Sequence, residues 1–185
     1  MDDMAFYPAL LFGIFLLTSF TASLETHGRA PIYCHANTLD AKTKASSSWS
    51  GWGPRHAIQR RTWSTAQLRL NHRKHASCAS ALTKECPQFI RVDLAEPGEL
   101  KYVQFSSYNH HSAPVKFEIL GARDGEELET LRHVTRRRKN KRLHRDSRFP
   151  IPQRNYRSIM IKIYEIKASA YRNWYYATIS DLILC

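Results

Sequence analysis

From residue 89 onward, apolar positions alternate with polar ones. Ile90, Val92 and Leu94 fall on one side of a strand whose other side carries Arg91 and Asp93. Val103 and Phe105 continue the theme, and Val115, Phe117 and Ile119 repeat it against Lys116 and Glu118. Ile159, Ile161 and Ile163 alternate with Met160 and Lys162, and the run Ile179 to Leu184 closes the chain. Successive side chains of a strand point to opposite faces, so a period of two marks strands with one buried face, as in antiparallel sheets. The punctuation agrees. Glu96-Pro97-Gly98-Glu99 and Asp124-Gly125-Glu126 are turn sequences, and Asn109 to Pro114 is a polar loop between two strands. Helix is expected only within Arg55 to Leu70, and there for a turn or two. Short strands joined by turns predict an all-β chain, an antiparallel β-sandwich or jelly roll with little helix.

Upstream of this pattern, Ala5 to Phe20 is nearly continuous apolar sequence, followed by the small residues Thr21-Ala22-Ser23 that a signal peptidase reads. The run falls short of the ~20 residues of a membrane span. The expected organisation is a signal peptide over residues 1–23, a short leader over 24–33 and one domain over 34–185, secreted from the cell. The acidic start (Asp2, Asp3) and Pro8 keep a retained signal-anchor as the alternative. The net charge is +12. Outside the cell, such a charge points to sulfated glycans, anionic lipid headgroups or acidic proteins rather than to nucleic acid. None of Asn37, Asn71, Asn109, Asn140, Asn155 and Asn173 begins an Asn-x-Ser/Thr sequon, so N-linked sugar is not expected on this surface. The cysteines are Cys34, Cys78, Cys86 and Cys185, which allow three pairings. Cys34 stands where the domain begins and Cys185 ends the chain. A Cys34–Cys185 bridge tying the ends, with Cys78–Cys86 closing a short loop, is the arrangement expected in an oxidising compartment.

The order of motifs resembles the coagulation factor type C, or discoidin, domain of the galactose-binding-like superfamily. Ala45-Ser46-Ser47-Ser48-Trp49 is similar to that family's opening strand, and Gly53-Pro54, Ala57, Trp63 and Leu68 to the segment with its core tryptophan. Pro87 to Leu94 resembles its aromatic-Ile/Leu-x-Val-Asp-Leu strand, and Val115 to Ile119 with Asp124-Gly125 its strand and turn. Ala177 to Cys185 resembles the terminal strand with its closing cysteine. The resemblance covers residues 34–185. It implies a non-enzymatic adhesion or recognition domain whose binding loops project from one end of the sandwich. Two departures matter. After Ile58, where some members bind calcium, this chain has Gln59-Arg60-Arg61, cationic side chains in place of hard-cation ligands, so no metal is carried over. Tyr156-Arg157-Ser158-Ile159-Met160 keeps one arginine of the family's Arg-Tyr-x-Arg-Ile sequence and has Met160 in place of the other.

The loop Trp49-Ser50-Gly51-Trp52-Gly53-Pro54 is the first candidate site. Indole rings combine apolar area with an N–H and stack on sugar faces or seat at bilayer interfaces. Trp49 and Trp52 are the expected ligand-binding residues there, while Trp63 is expected in the core. By the resemblance, Tyr108, His110 and His111 join them at the same end. Leu70 to Pro87, with His72, Arg73, Lys74 and His75, reads as a surface excursion pinned by Cys78 and Cys86. Its His/Cys set lacks the Cys-x-x-Cys spacing of a zinc site. The strongest charge feature is Arg132 to Arg148, with Arg136, Arg137, Arg138, Lys139, Lys141 and Arg142 at its centre and Arg145 close by. Guanidinium forks match sulfate oxygens, which makes this a candidate heparin-type site, read by the resemblance as a hairpin loop. A solvated basic loop and a processing site at Arg142-Leu143-His144-Arg145 are the rival readings. No Gly-rich phosphate loop, Gly-x-Ser-x-Gly or His-Glu-x-x-His occurs, so no catalytic residue, metal or cofactor is expected. The function expected is recognition of cell-surface or matrix glycans of heparan-sulfate type, or of acidic proteins. Peripheral binding to anionic phospholipid is the alternative within binding. A secreted basic hydrolase or host-defence effector is the alternative of another class.

Overall fold

The structure, a computed structural model, describes residues 40–66, 68–69, 86–136, 147–166 and 174–185. The chain divides into two units, Met1–Pro31 and Ile32–Cys185, and the described residues belong to the second. The expectations for the signal peptide and leader lie outside them. In order, the elements are β1 (Lys42–Ala45), α1 (Pro54–Ile58), β2 (Thr62–Ser64), β3 (Leu68–Arg69), β4 (Gln88–Ser106), β5 (Pro114–Ala122), β6 (Glu129–Thr135), β7 (Arg148–Ile166), β8 (Trp174–Tyr175) and β9 (Thr178–Leu184). The all-β antiparallel sandwich expected from the alternation is what forms.

Hydrogen bonding runs β2-β9-β4-β7-β5-β6, with β1 added on β4, and β3 pairs with β8. β4 and β7 hold the two layers together. The first half of β4 pairs with the second half of β7 (Ile90 with Ile161), and the second half of β4 with the first half of β7 (Val103 with Phe149). β1, β5 and β6 extend the first region, while β9 and β2 extend the other through Val103–Leu184 and Trp63–Ile179. Their inner faces supply the core. Phe105 and Phe149 of one layer meet Phe117 of the other, with ring centroids 5.0–5.4 Å apart.

Of three local expectations, one is overturned and two are met. Glu96-Pro97-Gly98-Glu99 lies within β4 and does not form a hairpin turn. β4 continues through it, with its register against β7 shifted between Asp93 and Gly98. Ala95, Glu96 and Pro97 are exposed, and a bulge is where a proline lacking an N–H can sit inside a strand. The stretch expected to be helical holds only α1, with Pro54 in its first turn and Ala57 and Ile58 buried; the remainder supplies β2 and β3. The Asp124-Gly125 turn does form, with Gly125 at φ 75° and Glu126 N–H donating to Arg123 O at 3.2 Å.

At the end of α1, Arg61 N–H returns to His56 O at 2.9 Å, and Arg60 adopts φ 59°. That left-handed position is the usual place for glycine, because a Cβ there crowds the following carbonyl at a cost of ~1–2 kcal/mol. Arg60→Gly is therefore expected to stabilise the fold by about 1 kcal/mol, raising the melting temperature by about 2–4 °C. Thermal unfolding followed by circular dichroism checks this, and a lower melting temperature would show that the arginine side chain contributes more than its backbone costs.

Cys185 is buried rather than dangling. Its N–H donates to Tyr102 O at 3.0 Å, and its carbonyl accepts from Lys101 and Tyr102 N–H. Cys86 and Cys185 are both disulfide-bonded, and no described cysteine is free. The expected partners, Cys34 and Cys78, lie outside the described residues.

Candidate functional site

The first candidate loop is a tight turn built on Gly51. Trp52 N–H donates to Trp49 O at 2.9 Å, and Gly51 sits at φ 77°, the third-position geometry of a type II turn that favours glycine. The turn is stitched to β2 from both sides: Trp49 N–H donates to Ser64 O at 3.0 Å, and Ser64 N–H to Trp52 O at 3.2 Å. Below it lies Trp63, fully buried as expected, with its indole N–H shared between Ser47 O at 3.1 Å and Ser48 Oγ at 3.2 Å. Gln88 is also buried, and its Oε1 accepts from Ser46 Oγ at 2.8 Å and Ser47 Oγ at 2.5 Å. The core tryptophan and Gln88 thus fix the serines from which the loop departs.

The second candidate loop spans residues 107–113, between β4 and β5. Thr178, buried at the start of β9, accepts the Tyr108 N–H on Oγ1 at 3.1 Å and shares a 2.7 Å hydrogen bond with Ser112 Oγ. Asn109 Oδ1 accepts from Ser112 N–H at 2.8 Å and from Ser112 Oγ at 3.0 Å, while its Nδ2 donates to Tyr176 Oη at 3.3 Å. The loop is held at both ends from within, which leaves Tyr108 free to project. Asn109, Ser112, Tyr176 and Thr178 were not foreseen as supporting residues. Asn109 carried a signal, since asparagine readily bonds the backbone a few residues on; the part played by Thr178 depends on a contact distant in sequence.

The two loops meet. The Trp52 ring stands edge-on to the Tyr108 ring, with centroids 5.3 Å apart and planes at 82°. Trp49 and Tyr108 are the exposed large hydrophobic side chains among the described residues, at 38% and 53%, and Trp52 is half-buried between them and the body. Exposed His110 stacks on half-buried His111 at 3.7 Å in the same loop. Trp49, Trp52, Tyr108, His110 and His111 are therefore carried by two adjoining loops at one end of the sandwich. Among the described residues no cluster of His, Cys, Asp and Glu has the makeup of a metal site.

Of the candidate heparin-type residues, Arg136 is described. It is half-buried, with N–H donating to Val115 O at 2.8 Å and Nη1 to Pro114 O at 3.4 Å, and burial lowers its guanidinium from the ordinary value. Arg137, Arg138, Lys139, Lys141, Arg142 and Arg145 lie outside the described residues. The topology corrects one expectation. β6 and β7 do not pair; they flank β5 on either side, so the segment joining them crosses over a strand and is not a hairpin loop. Both of its described ends stand beside the Tyr108 loop. Arg136 binds the carbonyls that open β5, and Ser147 O accepts from Phe105 N–H at 3.4 Å.

No protein-family model and no curated protein matches the sequence. Solved structures do match. The family 32 carbohydrate-binding module of NanJ from Clostridium perfringens, in complex with galactose, aligns with a TM-score of 0.60 at 15% identity, over 82% of this chain and 96% of that one. Chitosan-binding module 1 of a chitosanase/glucanase from Paenibacillus sp. IK-5 aligns with a TM-score of 0.57 at 13% identity, over 80% and 97%. The family 32 module of AlyQ, in complex with 4,5-unsaturated mannuronic acid, aligns with a TM-score of 0.53 at 18% identity, over 78% and 93%. The chain shares the β-sandwich fold of these modules, and at these identities the likeness establishes the fold alone.

Proposed function

We propose that this chain is a secreted, non-catalytic glycan-binding module of discoidin type, with its sugar site on the loops carrying Trp49, Trp52 and Tyr108. The observation that carries the reading is the Trp52–Tyr108 edge contact flanked by exposed Trp49. It presents apolar ring faces from two buttressed loops, and such faces suit the C–H side of a pyranose. Sugars or sugar acids are bound by the modules of like fold, which supports the reading. The net charge of +12 and the run Arg136 to Arg145 favour acidic glycans of heparan-sulfate type, with acidic protein surfaces as a related partner. No cofactor enters this reading.

A glycan array identifies the ligand, and titration calorimetry with Trp52→Ala and Tyr108→Ala tests the site. Each variant is expected to bind at least about tenfold more weakly, in keeping with the weight aromatic anchors carry in binding sites, while keeping its melting temperature within about 2 °C. Unchanged affinity in both would sink the loop site. Exposed aromatics beside cations also suit a lipid interface. Sedimentation with anionic liposomes separates the two: membrane binding lost in Trp52→Ala, with no glycan bound, replaces the sugar reading.

A further inference from the structure

The sandwich is open, so each layer ends in strand edges. Among the described residues these are β1 and β6 in the first layer, and β2 and the first half of β7 in the second. An exposed edge offers unpaired N–H and C=O groups, which proteins guard with short strands, lysine or proline, among other devices. All of these edges except β6 are guarded in that way. β2 has three residues. β1 has four, with Lys42 and Lys44 exposed. The first half of β7 carries Pro150 and Pro152, which have no N–H, and their carbonyls accept from Arg132 Nη1 and Tyr156 Oη, each at 2.8 Å. β6 has seven residues, Glu129–Thr135, with neither lysine nor proline. Its register shift, opposite Ile119 and Leu120 of β5, is confined to its first half and leaves Arg132 to Thr135 regular.

The register fixes which groups of β6 point outward. Arg136 N–H donates to Val115 O at 2.8 Å, one step beyond the Thr135–Lys116 pair. Antiparallel pairs alternate between hydrogen-bonded and non-bonded, so Val134 and Arg132, opposite Phe117 and Ile119, turn their backbone groups to β5. His133 and Thr135 turn theirs away from the sheet. The side chains alternate as well. Val134 and Leu131 pack against the core from the inner face and are half-buried, so a strand laid alongside completes their cover. His133 lies on the outer face, with Nδ1 at 3.0 Å from Glu118 Oε1. The outward groups stand at the cationic end of the strand. Arg132 and His133 are exposed, and the sequence continues into Arg136-Arg137-Arg138-Lys139. Acids at the other end are engaged, Glu129 by Arg154 at 3.4 Å and Glu126 by Arg123 at 2.7 Å.

We propose that β6 takes up an extended, acidic segment of another protein as an added strand, through the outward groups of His133 and Thr135. In this mode main-chain hydrogen bonds supply affinity and alternate side chains supply selectivity. A residue bonded directly to His133 shares its face of the sheet. That position, beside an imidazole and leading to the basic run, suits a carboxylate. The residues between fall on the inner face, beside Val134 and Leu131, and suit apolar side chains. The segment recognised therefore alternates acidic and apolar residues. A second copy of this chain is the poorer occupant, because its β6 brings another arginine and histidine and each chain carries +12. The proposal does not depend on the sugar reading.

The probe is a synthetic peptide of alternating glutamate and valine, titrated into the full chain by calorimetry alongside two N-methylated forms. Methyl groups on the glutamate amides block the side that faces β6, whereas those on the valine amides lie on the far side. Glutamate methylation is expected to weaken binding at least about tenfold, since donors are lost and carbonyls of β6 are left unmet. Valine methylation is expected to leave affinity within about twofold. In the protein, His133→Pro removes an N–H that β5 does not use, so peptide affinity is expected to fall while the melting temperature holds. His133→Gln keeps that N–H and is expected to retain binding. Equal affinity of the two methylated peptides means attachment by charge alone and overturns strand addition, as does no binding of the unmethylated peptide. Self-association of the unaltered chain in sedimentation velocity, abolished by His133→Pro, gives the edge to a second copy and overturns the acidic partner. Sugar binding is expected unchanged in His133→Pro, so failure here and failure of the aromatic site are read separately.

Discussion

Trp63→Ala is expected to cost about 3–5 kcal/mol, the range for emptying a large aromatic from a packed core. Trp63 is fully buried on β2, in register with Ile179 of β9, and lies in the same core as Ala57 and Ile58 of α1. Its loss opens a cavity under β2, the short strand at the edge of the sheet. It also removes the indole donor from Ser47 O and Ser48 Oγ. At about 2–4 °C per kcal/mol for a chain of this size, the melting temperature is expected to fall by about 10 °C or more. Trp63→Phe separates the two contributions, because it keeps most of the apolar volume and loses only the N–H. A smaller loss of stability is expected there, with sugar affinity still reduced because the serines that launch the Trp49–Trp52 turn are released. A Trp63→Ala protein as stable as the parent would refute the placement of this ring in the core.

Gly121→Ala is the second large effect. A Cβ at this position in β5 meets Leu131 Cδ1 at 2.6 Å and the Tyr156 ring at 2.8 and 2.9 Å. Leu131 lies on the exposed strand β6 and has room to give way. Tyr156 does not: its ring is fully buried and its hydroxyl donates to Pro152 O at 2.8 Å. The strands therefore separate or the tyrosine shifts, and overpacking of this kind costs about 1–3 kcal/mol. Urea unfolding of Gly121→Ala and of Gly121→Ala with Tyr156→Phe checks the cause. The double variant is expected to recover part of the loss, because freeing the ring from Pro152 lets it retreat. Equal stability of Gly121→Ala and the parent would mean that the close approach is not enforced.

Much of this fold was legible because burial alternates in the strands as the residues do. Ile90, Val92, Val115, Phe117, Ile119, Ile159, Ile161 and Ile163 all point inward, as their spacing requires. What escaped the sequence was set by pairing at a distance. Glu96-Pro97-Gly98 has turn chemistry, yet the strand passes through it because β7 continues alongside. The family resemblance reads the basic segment as a hairpin loop, but β5 lies between the two strands it joins. The aromatic end was legible through Trp49, Trp52 and Tyr108, since tryptophans around a glycine imply a projecting turn. Its supports were not, because Gln88 and Thr178 read as ordinary strand residues and act only through partners far along the chain.

The two 19-residue strands, β4 and β7, belong to both layers of the sandwich. Neither sheet can therefore be completed before the other during folding, or shed first during unfolding. The β4–β7 pairing couples the two layers, and it joins residues distant in sequence, the kind of contact that slows folding. The aromatic loops draw on β4 directly, since it begins at Gln88, which holds Ser46 and Ser47, and ends at Ser106, next to the Tyr108 loop.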